Sequence, residues 1–352
     1  MIVADSIAAA VAQQNLREEE AFAVMAEIMS GDATDVQIAG LITALRMKGE
    51  TEEEITGFAR AIRARAVKVN INRGGLVDTC GTGGDMAQTF NISTTAAFVV
   101  AACGVPVAKH GNRAVSSKCG SADLLETLGV NLELAPADAA EAIATTGIGF
   151  LFAPAFHAAM KHAARARKEI GIRTVFNLLG PLVNPAGAEY QLTGVYAPEL
   201  TEKIGEVLKR LGIRKALVVH GSGGLDEIST LVPTKITEVE NEEVRTYEIT
   251  PEFFGFSRAA PADLCGGDCF ENAETTMRIL KGETEPKQDI VVLNAAAALY
   301  AAEEVKSIAE GIKAALEAIN SGQALHKLEL LKQYTREAGG KEAGAENTLP
   351  SA

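Results

Sequence analysis

Two stretches of this chain carry residues suited to holding an anion. The first is Gly81-Thr82-Gly83-Gly84-Asp85, followed by Thr89, Asn91, Ile92, Ser93 and Thr94. Glycine amides can crowd an anion where a Cβ would block approach, and a Ser/Thr-rich helix start adds free N–H groups and hydroxyls. The second is Lys109-His110-Gly111-Asn112-Arg113, running through Ser116, Ser117 and Lys118 to Ser121. Residues 86–122 contain no Asp or Glu, although the chain has 46 acidic residues and a net charge of -13. Such a local reversal of field suits a small anionic substrate. A tight turn, an ordinary helix cap and an exposed charged loop are the plain readings of each piece taken alone.

Asp226-Glu227, after Gly223-Gly224, is a pair of hard-oxygen groups of the kind magnesium takes alongside substrate phosphates; elsewhere such a pair is merely solvated. The run Lys161, Arg165, Arg167, Lys168 and Arg173 has Glu169 as its one acid. It reads as a solvated helix face or as a source of a guanidinium for a substrate carboxylate. His110 and His220 are candidate general bases or satisfied polar residues, the second being the default. Neither common nucleotide motif is present: the dinucleotide fingerprint has no small residue at Met86 or Ala87 to complete it, and the P-loop's Gly-Lys-Ser/Thr is missing.

The elements that would position these groups begin with helices at 5–14, 18–30, 35–48 and 51–66. Gly31 and Gly49 stop two of them, and Thr51 with Glu54 forms a capping box. From residue 76 short apolar runs (76–79, 106–109, 149–152, 193–196, 216–220) alternate with helices at 94–103, 122–128, 136–146 and 157–170. Bare apolar strands suit a mainly parallel sheet covered on both faces. Residues 237–240 and 244–249, turning at Asn241-Glu242, form a polar edge hairpin that makes the sheet mixed. Helices at 272–281, 290–302 and 307–334 follow. The predicted division is a helical domain at 1–72 with 166–187 packing back onto it, an α/β domain at 73–165 and 188–338, and a disordered tail at 339–352.

A pI near 5.0 argues against wholesale nucleic-acid binding. Five cysteines without paired spacing indicate neither a disulfide framework nor a zinc ribbon and suit a reducing cytoplasm, and Cys265 and Cys269 read as structural. Targeting and membrane segments are not expected.

The glycine turn, Asn91-Ile92-Ser93-Thr94 and Lys109 through Ser117 together resemble the signatures of the anthranilate phosphoribosyltransferase family. The resemblance continues through Phe150-Leu-Phe-Ala-Pro154, Gly171 to Pro185 and Gly224 to Ser229, leaving out only the tail. It implies an α/β fold of the nucleoside phosphorylase and phosphoribosyltransferase type, and transfer of phosphoribosyl from 5-phosphoribosyl 1-diphosphate to the amine of anthranilate. It assigns the donor to Gly81, Gly84, Asp85, Thr89, Asn91, Ile92, Ser93, Thr94, Lys109, His110, Gly111, Asn112, Arg113, Ser116, Ser117 and Ser121. Anthranilate falls to Gly81, Asn112 and Arg167, and two magnesium ions to Ser93, Asp226 and Glu227. Lys109, Asp226 and Glu227 would carry catalysis without a dedicated general base. The chain departs from the family pattern at Met86 and Ala158. A homodimer through the N-terminal helices is implied. The alternatives are a pyrimidine nucleoside phosphorylase of the same architecture, or a non-catalytic relative that binds nucleic acid.

Overall fold

The structure is a computed structural model that describes residues 2–84, 88–114, 118–284 and 286–345. Four helices open the chain: α1 (Ile2–Val11), α2 (Glu18–Ser30), α3 (Asp35–Lys48) and α4 (Glu52–Arg65). Their ends follow local chemistry. Gly31 and Gly49 take φ of 81° and 86° just beyond α2 and α3, where a side chain would be strained. Before α4 the Thr51 hydroxyl accepts the Glu54 N–H at 3.3 Å while the Glu54 carboxylate accepts the Thr51 N–H at 2.8 Å. That carboxylate is fully buried and also takes the Leu16 N–H and the Lys48 ammonium, each at 2.9 Å, so the cap fixes three segments together.

The rest of the chain runs β1 (Val77–Gly81), α5 (Ile92–Ala102), β2 (Val107–Gly111), α6 (Ser121–Thr127), α7 (Pro136–Thr146), β3 (Ile148–Phe152), α8 (Ala153–Phe156), α9 (Lys161–Ile170), α10 (Phe176–Leu179), β4 (Tyr190–Gly194), α11 (Leu200–Arg210), β5 (Lys215–Gly221), β6 (Thr234–Glu240), β7 (Glu243–Ile249), α12 (Cys269–Leu280), α13 (Pro286–Ala301), α14 (Ile308–Asn320) and α15 (Gln323–Ala345). The sheet order is β3-β2-β1-β4-β5-β6-β7. Its first five strands are parallel, and β6 and β7 are antiparallel. The edge hairpin turns at Asn241 and Glu242, both at positive φ as a tight two-residue turn requires. The fold is thus a helical domain joined to an α/β domain with a mixed, mostly parallel sheet.

Both faces of the parallel strands are covered, which is why these strands are mostly apolar without alternation, whereas the edge strand β7 is polar and largely exposed. One face packs on α5, α13, α14 and α15. On the other, Leu217's neighbours Ala216 and Val218 join a cluster that also contains α11, the bundle residues Ile42, Phe58 and Ile62, and Ala166, Val175, Phe176 and Leu182.

Apart from shifts at other element ends, such as α1 at Ile2–Val11 where 5–14 is expected and α13 at Pro286–Ala301 where 290–302 is expected, three expectations differ from the structure. The helix expected at 157–170 begins at Lys161, after α8 and a short 3-10 turn, because Pro154 starts a new helix. The strand expected at 193–196 is Tyr190–Gly194, where buried Gln191 and Thr193 hid the run. The last long helix breaks at Ser321-Gly322, Gly322 having φ 77°, and α15 continues to Ala345, past the start of the expected tail. Residues 346–352 lie outside the described residues.

Candidate active site

The order of the parallel strands reverses between β1 and β4, and ligands in such sheets bind beyond the carboxyl ends of the strands at that point. The glycine turn leaves β1 there, with Gly83 and Gly84 at φ of 65° and 73°. The Gly83 N–H donates to Asp226 Oδ2 at 2.8 Å, and the Ser93 N–H at the start of α5 donates to Glu227 Oε1 at 3.2 Å. The adjacent carboxylates therefore reach two different anion-seeking elements. Two glycines make room for Asp226: a Cβ on Gly81 would lie 2.6 Å from its Oδ2, and one on Gly194 only 1.5 Å from its carbonyl oxygen.

Lys109, on β2, is buried beside this pair. Its ammonium donates to the Thr79 carbonyl and lies 3.4 Å from Ser93 Oγ. Burial lowers its pKa, while Asp78, Cys80 and Glu227 oppose that shift. Asp78 lies wholly within the sheet, accepting the His110 N–H at 3.2 Å and the Asn184 amide at 2.8 Å. Burial raises its pKa to about 6 against the pull of Lys109.

The other expected donor residues are placed unequally. Ile92 and Thr94 are buried in the first turn of α5, so only backbone groups of Ile92 could serve a ligand. Asn91 bonds Cys119 O at 3.0 Å and Asn272 at 3.1 Å, tying α5 to the loop after β2 and to α12. Thr89 pairs in a bridge with Cys265. Gly111 ends β2, Asn112 is exposed, and Ser121 Oγ donates to the Asn112 carbonyl at 3.2 Å. Arg113 is engaged by Asp123 at 3.0 Å and Glu126 at 2.7 Å. Its carboxylate partners come from the helix just beyond the acid-free stretch. Asp85, Ser116 and Ser117, like Met86, lie outside the described residues.

On the bundle side, the Arg167 guanidinium stacks 4.9 Å from the Phe176 ring centre, and burial lowers its pKa. Among the described residues no carboxylate forms an ion pair with it. His220 is buried, with Nδ1 2.8 Å from Val195 O, and is a satisfied core residue. His110 is different. It meets His157 edge to face at 5.1 Å, and its Nε2 and both ring nitrogens of His157 are buried without a close hydrogen-bond partner among the described residues, the Val183 backbone being near enough to interact with His157. Burial lowers His110 to about 3 and His157 to about 4. Both rings are neutral near pH 7.

A folded-state pKa below the ordinary imidazole value of ~6.5 means that acid favours the unfolded chain. Stability should therefore fall as pH drops from about 6.5 towards 4. Asp78 acts with the opposite sign, contributing most below its unfolded value and losing that contribution as pH rises through about 6. Denaturant titrations at pH 7 and pH 5 should show His157→Phe losing about 2 kcal/mol less than wild type on acidification. An equal loss in both would show that His157 does not carry this proton linkage.

Sequence reading passed over Thr79, Gly194, His157 and Tyr196, whose parts arise from strand pairing and long-range contact. The Tyr196 N–H donates to Thr82 Oγ1 at 3.2 Å, and the Thr82 N–H to Gly194 O at 2.9 Å. Only the glycine in Thr193-Gly194 gave a local hint.

The chain matches the model described as glycosyl transferase family, helical bundle domain, over residues 4–66, and that described as glycosyl transferase family, a/b domain, over residues 73–325. Fold and site together define this class of glycosyl transferase. The anthranilate phosphoribosyltransferase of Syntrophobacter fumaroxidans is 55% identical over 337 residues, covering 96% of this chain and 100% of the relative. The crystal structure of the Thermus thermophilus enzyme of the same name aligns with TM-score 0.90 and 47% identity, covering 94% and 99% of the two chains. The Saccharomyces cerevisiae enzyme in complex with PRPP and Mg aligns with TM-score 0.84 and 28% identity, over 92% and 94%. The chain belongs to the anthranilate phosphoribosyltransferase family.

Proposed function

We propose that the chain transfers the phosphoribosyl group of 5-phosphoribosyl 1-diphosphate to the amine of anthranilate, giving N-(5-phosphoribosyl)anthranilate and diphosphate, a step of tryptophan biosynthesis. The observation that carries this reading is the meeting of Asp226 with the glycine turn and of Glu227 with the start of α5, beside buried Lys109. Lys109, the first amides of α5 and the two carboxylates thus come together near the switch point of the sheet.

The donor set fits magnesium. Asp226 and Glu227 offer hard oxygens and Ser93 a hydroxyl, and the described residues include no group of three His, Cys, Asp or Glu that would cage a metal without substrate. Magnesium characteristically takes one or two carboxylates and completes its shell with water and phosphate. Two ions are proposed, one for each carboxylate, and when bound they neutralise charge on the diphosphate.

The remaining work falls to positioning and fixed charge. The aromatic amine is neutral near pH 7 and already nucleophilic. Lys109 and the amides at the start of α5 stabilise charge developing on the departing diphosphate. The glycine turn seats the phosphates, and holding both reactants in one geometry supplies the remaining acceleration.

Arg167 is assigned to the carboxylate of anthranilate, since its planar guanidinium rests on the Phe176 ring and no carboxylate among the described residues forms an ion pair with it. Arg167→Ala should raise the KM for anthranilate about tenfold or more, the worth of a charge-assisted hydrogen bond, while the donor KM changes little. Steady-state kinetics with each substrate varied decides it, and equal rises would place Arg167 elsewhere.

A cytoplasmic homodimer completes the reading. Val11, Val36 and Met47 are 69%, 83% and 81% exposed on α1 and α3, apolar surface that a second bundle would cover. No described helix is long and apolar enough to cross a membrane. The reaction is tested by incubating the protein with magnesium, donor and anthranilate and quantifying diphosphate. Release in equal amount to anthranilate consumed supports the reading; release without anthranilate, or none, removes it.

A further inference from the structure

Arg173 lies six residues beyond Arg167 in the segment joining α9 to α10, and it reaches into the other half of the site. Its guanidinium donates to the carbonyl of Gly84 and stacks 4.6 Å from the Tyr196 ring centre. A Cβ built on Gly84 would lie 3.2 Å from the same guanidinium nitrogen, so the turn and the arginine are in close contact along the backbone. Among the described residues no carboxylate forms an ion pair with Arg173. No described carboxylate neutralises it in the way that Asp123 and Glu126 neutralise Arg113.

The partners of Arg173 form a closed set around the turn. Tyr196 follows β4, and its N–H holds Thr82 Oγ1 at 3.2 Å, while the Thr82 N–H holds Gly194 O at 2.9 Å. Residues 82–84 are thus fastened at one end by the chain after β4 and at the other by Arg173. The middle of the turn is bound through Gly83 to Asp226. Two consecutive glycines at positive φ have wide conformational freedom, so a turn built on them needs outside contacts to adopt one shape. Arg173 supplies the contact that fixes the direction of the Gly84 carbonyl. A planar guanidinium lying on an aromatic ring is itself restrained, which makes it a firm anchor. The residues just beyond, Val175 and Phe176, are buried in the cluster shared with the helical bundle. The anchor consequently links the glycine turn to the body that carries Arg167.

We propose that Arg173, clamped on Tyr196, is a positioning residue for the phosphoribosyl donor: it holds the glycine turn in the shape that receives the diphosphate. The proposal rests on the transferase reading above and adds a residue and a mode of action to it. Its effect falls on donor binding and not on the chemistry of the amine.

The test begins with wild-type turnover of donor and anthranilate, which checks the reaction itself, and then compares variants by steady-state kinetics, by calorimetry of donor with magnesium, and by thermal unfolding. Arg173→Ala should raise the donor KM and weaken donor binding about tenfold or more, as expected for loss of a charge-assisted hydrogen bond. The KM for anthranilate and the unfolding midpoint should stay near wild type. Arg173→Lys keeps the charge but neither fork nor stack, and should recover only a minor part of the loss. Tyr196→Phe keeps the ring and should weaken the donor far less than Tyr196→Ala. Tyr196→Ala should weaken the donor and combine with Arg173→Ala less than additively, as contacting residues do. Full rescue by lysine would reduce Arg173 to a point charge and overturn the proposal. So would additive effects, or equal KM rises for both substrates with a lowered unfolding midpoint. If Arg173→Ala does not fold, Arg173→Gln, which retains a donor for the Gly84 carbonyl, replaces it with the same expected direction and a smaller change.

Discussion

Replacing Asp226 by Asn together with Glu227 by Gln should lower kcat by at least about a thousandfold while leaving the fold intact. Each substitution keeps the shape of the side chain and an oxygen that can still accept the Gly83 or Ser93 N–H. What is lost is the charge that would hold magnesium against a diphosphate. A leaving group of that charge, departing without its metal, forfeits several kcal/mol of stabilisation, and each ~1.4 kcal/mol is a factor of ten in rate. The single variants should fall between wild type and the double, because each carboxylate bonds a different element. Circular dichroism and an unfolding midpoint near wild type would separate this loss from unfolding. Wild-type turnover with an unchanged magnesium dependence would sink the metal assignment.

Lys109→Met should cost kcat roughly a hundredfold or more, comparable to removing one preorganised donor from a site where charge develops. The ammonium is fixed by the Thr79 carbonyl and by Ser93 Oγ at 3.4 Å, so it is oriented before the donor arrives. Methionine fills a similar volume but leaves the Thr79 carbonyl without its donor. It also removes the cation beside Asp78, whose pKa burial already raises to about 6. The Asp78 carboxyl should then rise further, so the variant should gain stability on acidification relative to wild type. Rapid-quench or steady-state kinetics at saturating donor measures the first effect, and denaturant titration across pH measures the second. Activity within about fivefold of wild type would show that the diphosphate is stabilised elsewhere.

The parts of the site that the sequence makes visible are those built from consecutive residues. A glycine turn, a Ser/Thr-rich helix start and a basic loop each keep their character when read alone, and the acid-free stretch from 86 to 122 joins them. Helix ends were legible for the same reason: Gly31, Gly49 and the Thr51–Glu54 box act within one turn of where they stand. Pairing across the sheet was not. Thr79 enters the site because β1 lies beside β2, and Gly194 because β4 must let the Asp226 backbone pass. Arg113 looked free because its acids begin at Asp123, one helix start further on. The strand at 190–194 was placed too late, at 193–196, because Gln191 and Thr193 are polar yet buried, Gln191 bonding Pro181 O at 2.5 Å. The break at Gly322 was masked by helical spacing that continues on both sides.

The most direct test of the account is the fluorescence of anthranilate in a solution of the pure protein with magnesium and 5-phosphoribosyl 1-diphosphate. The expected result is a progressive loss that requires enzyme, metal and donor together and that the Asp226→Asn, Glu227→Gln protein does not reproduce. Fluorescence that stays constant, while the same protein cleaves a nucleoside in the presence of phosphate, would contradict it.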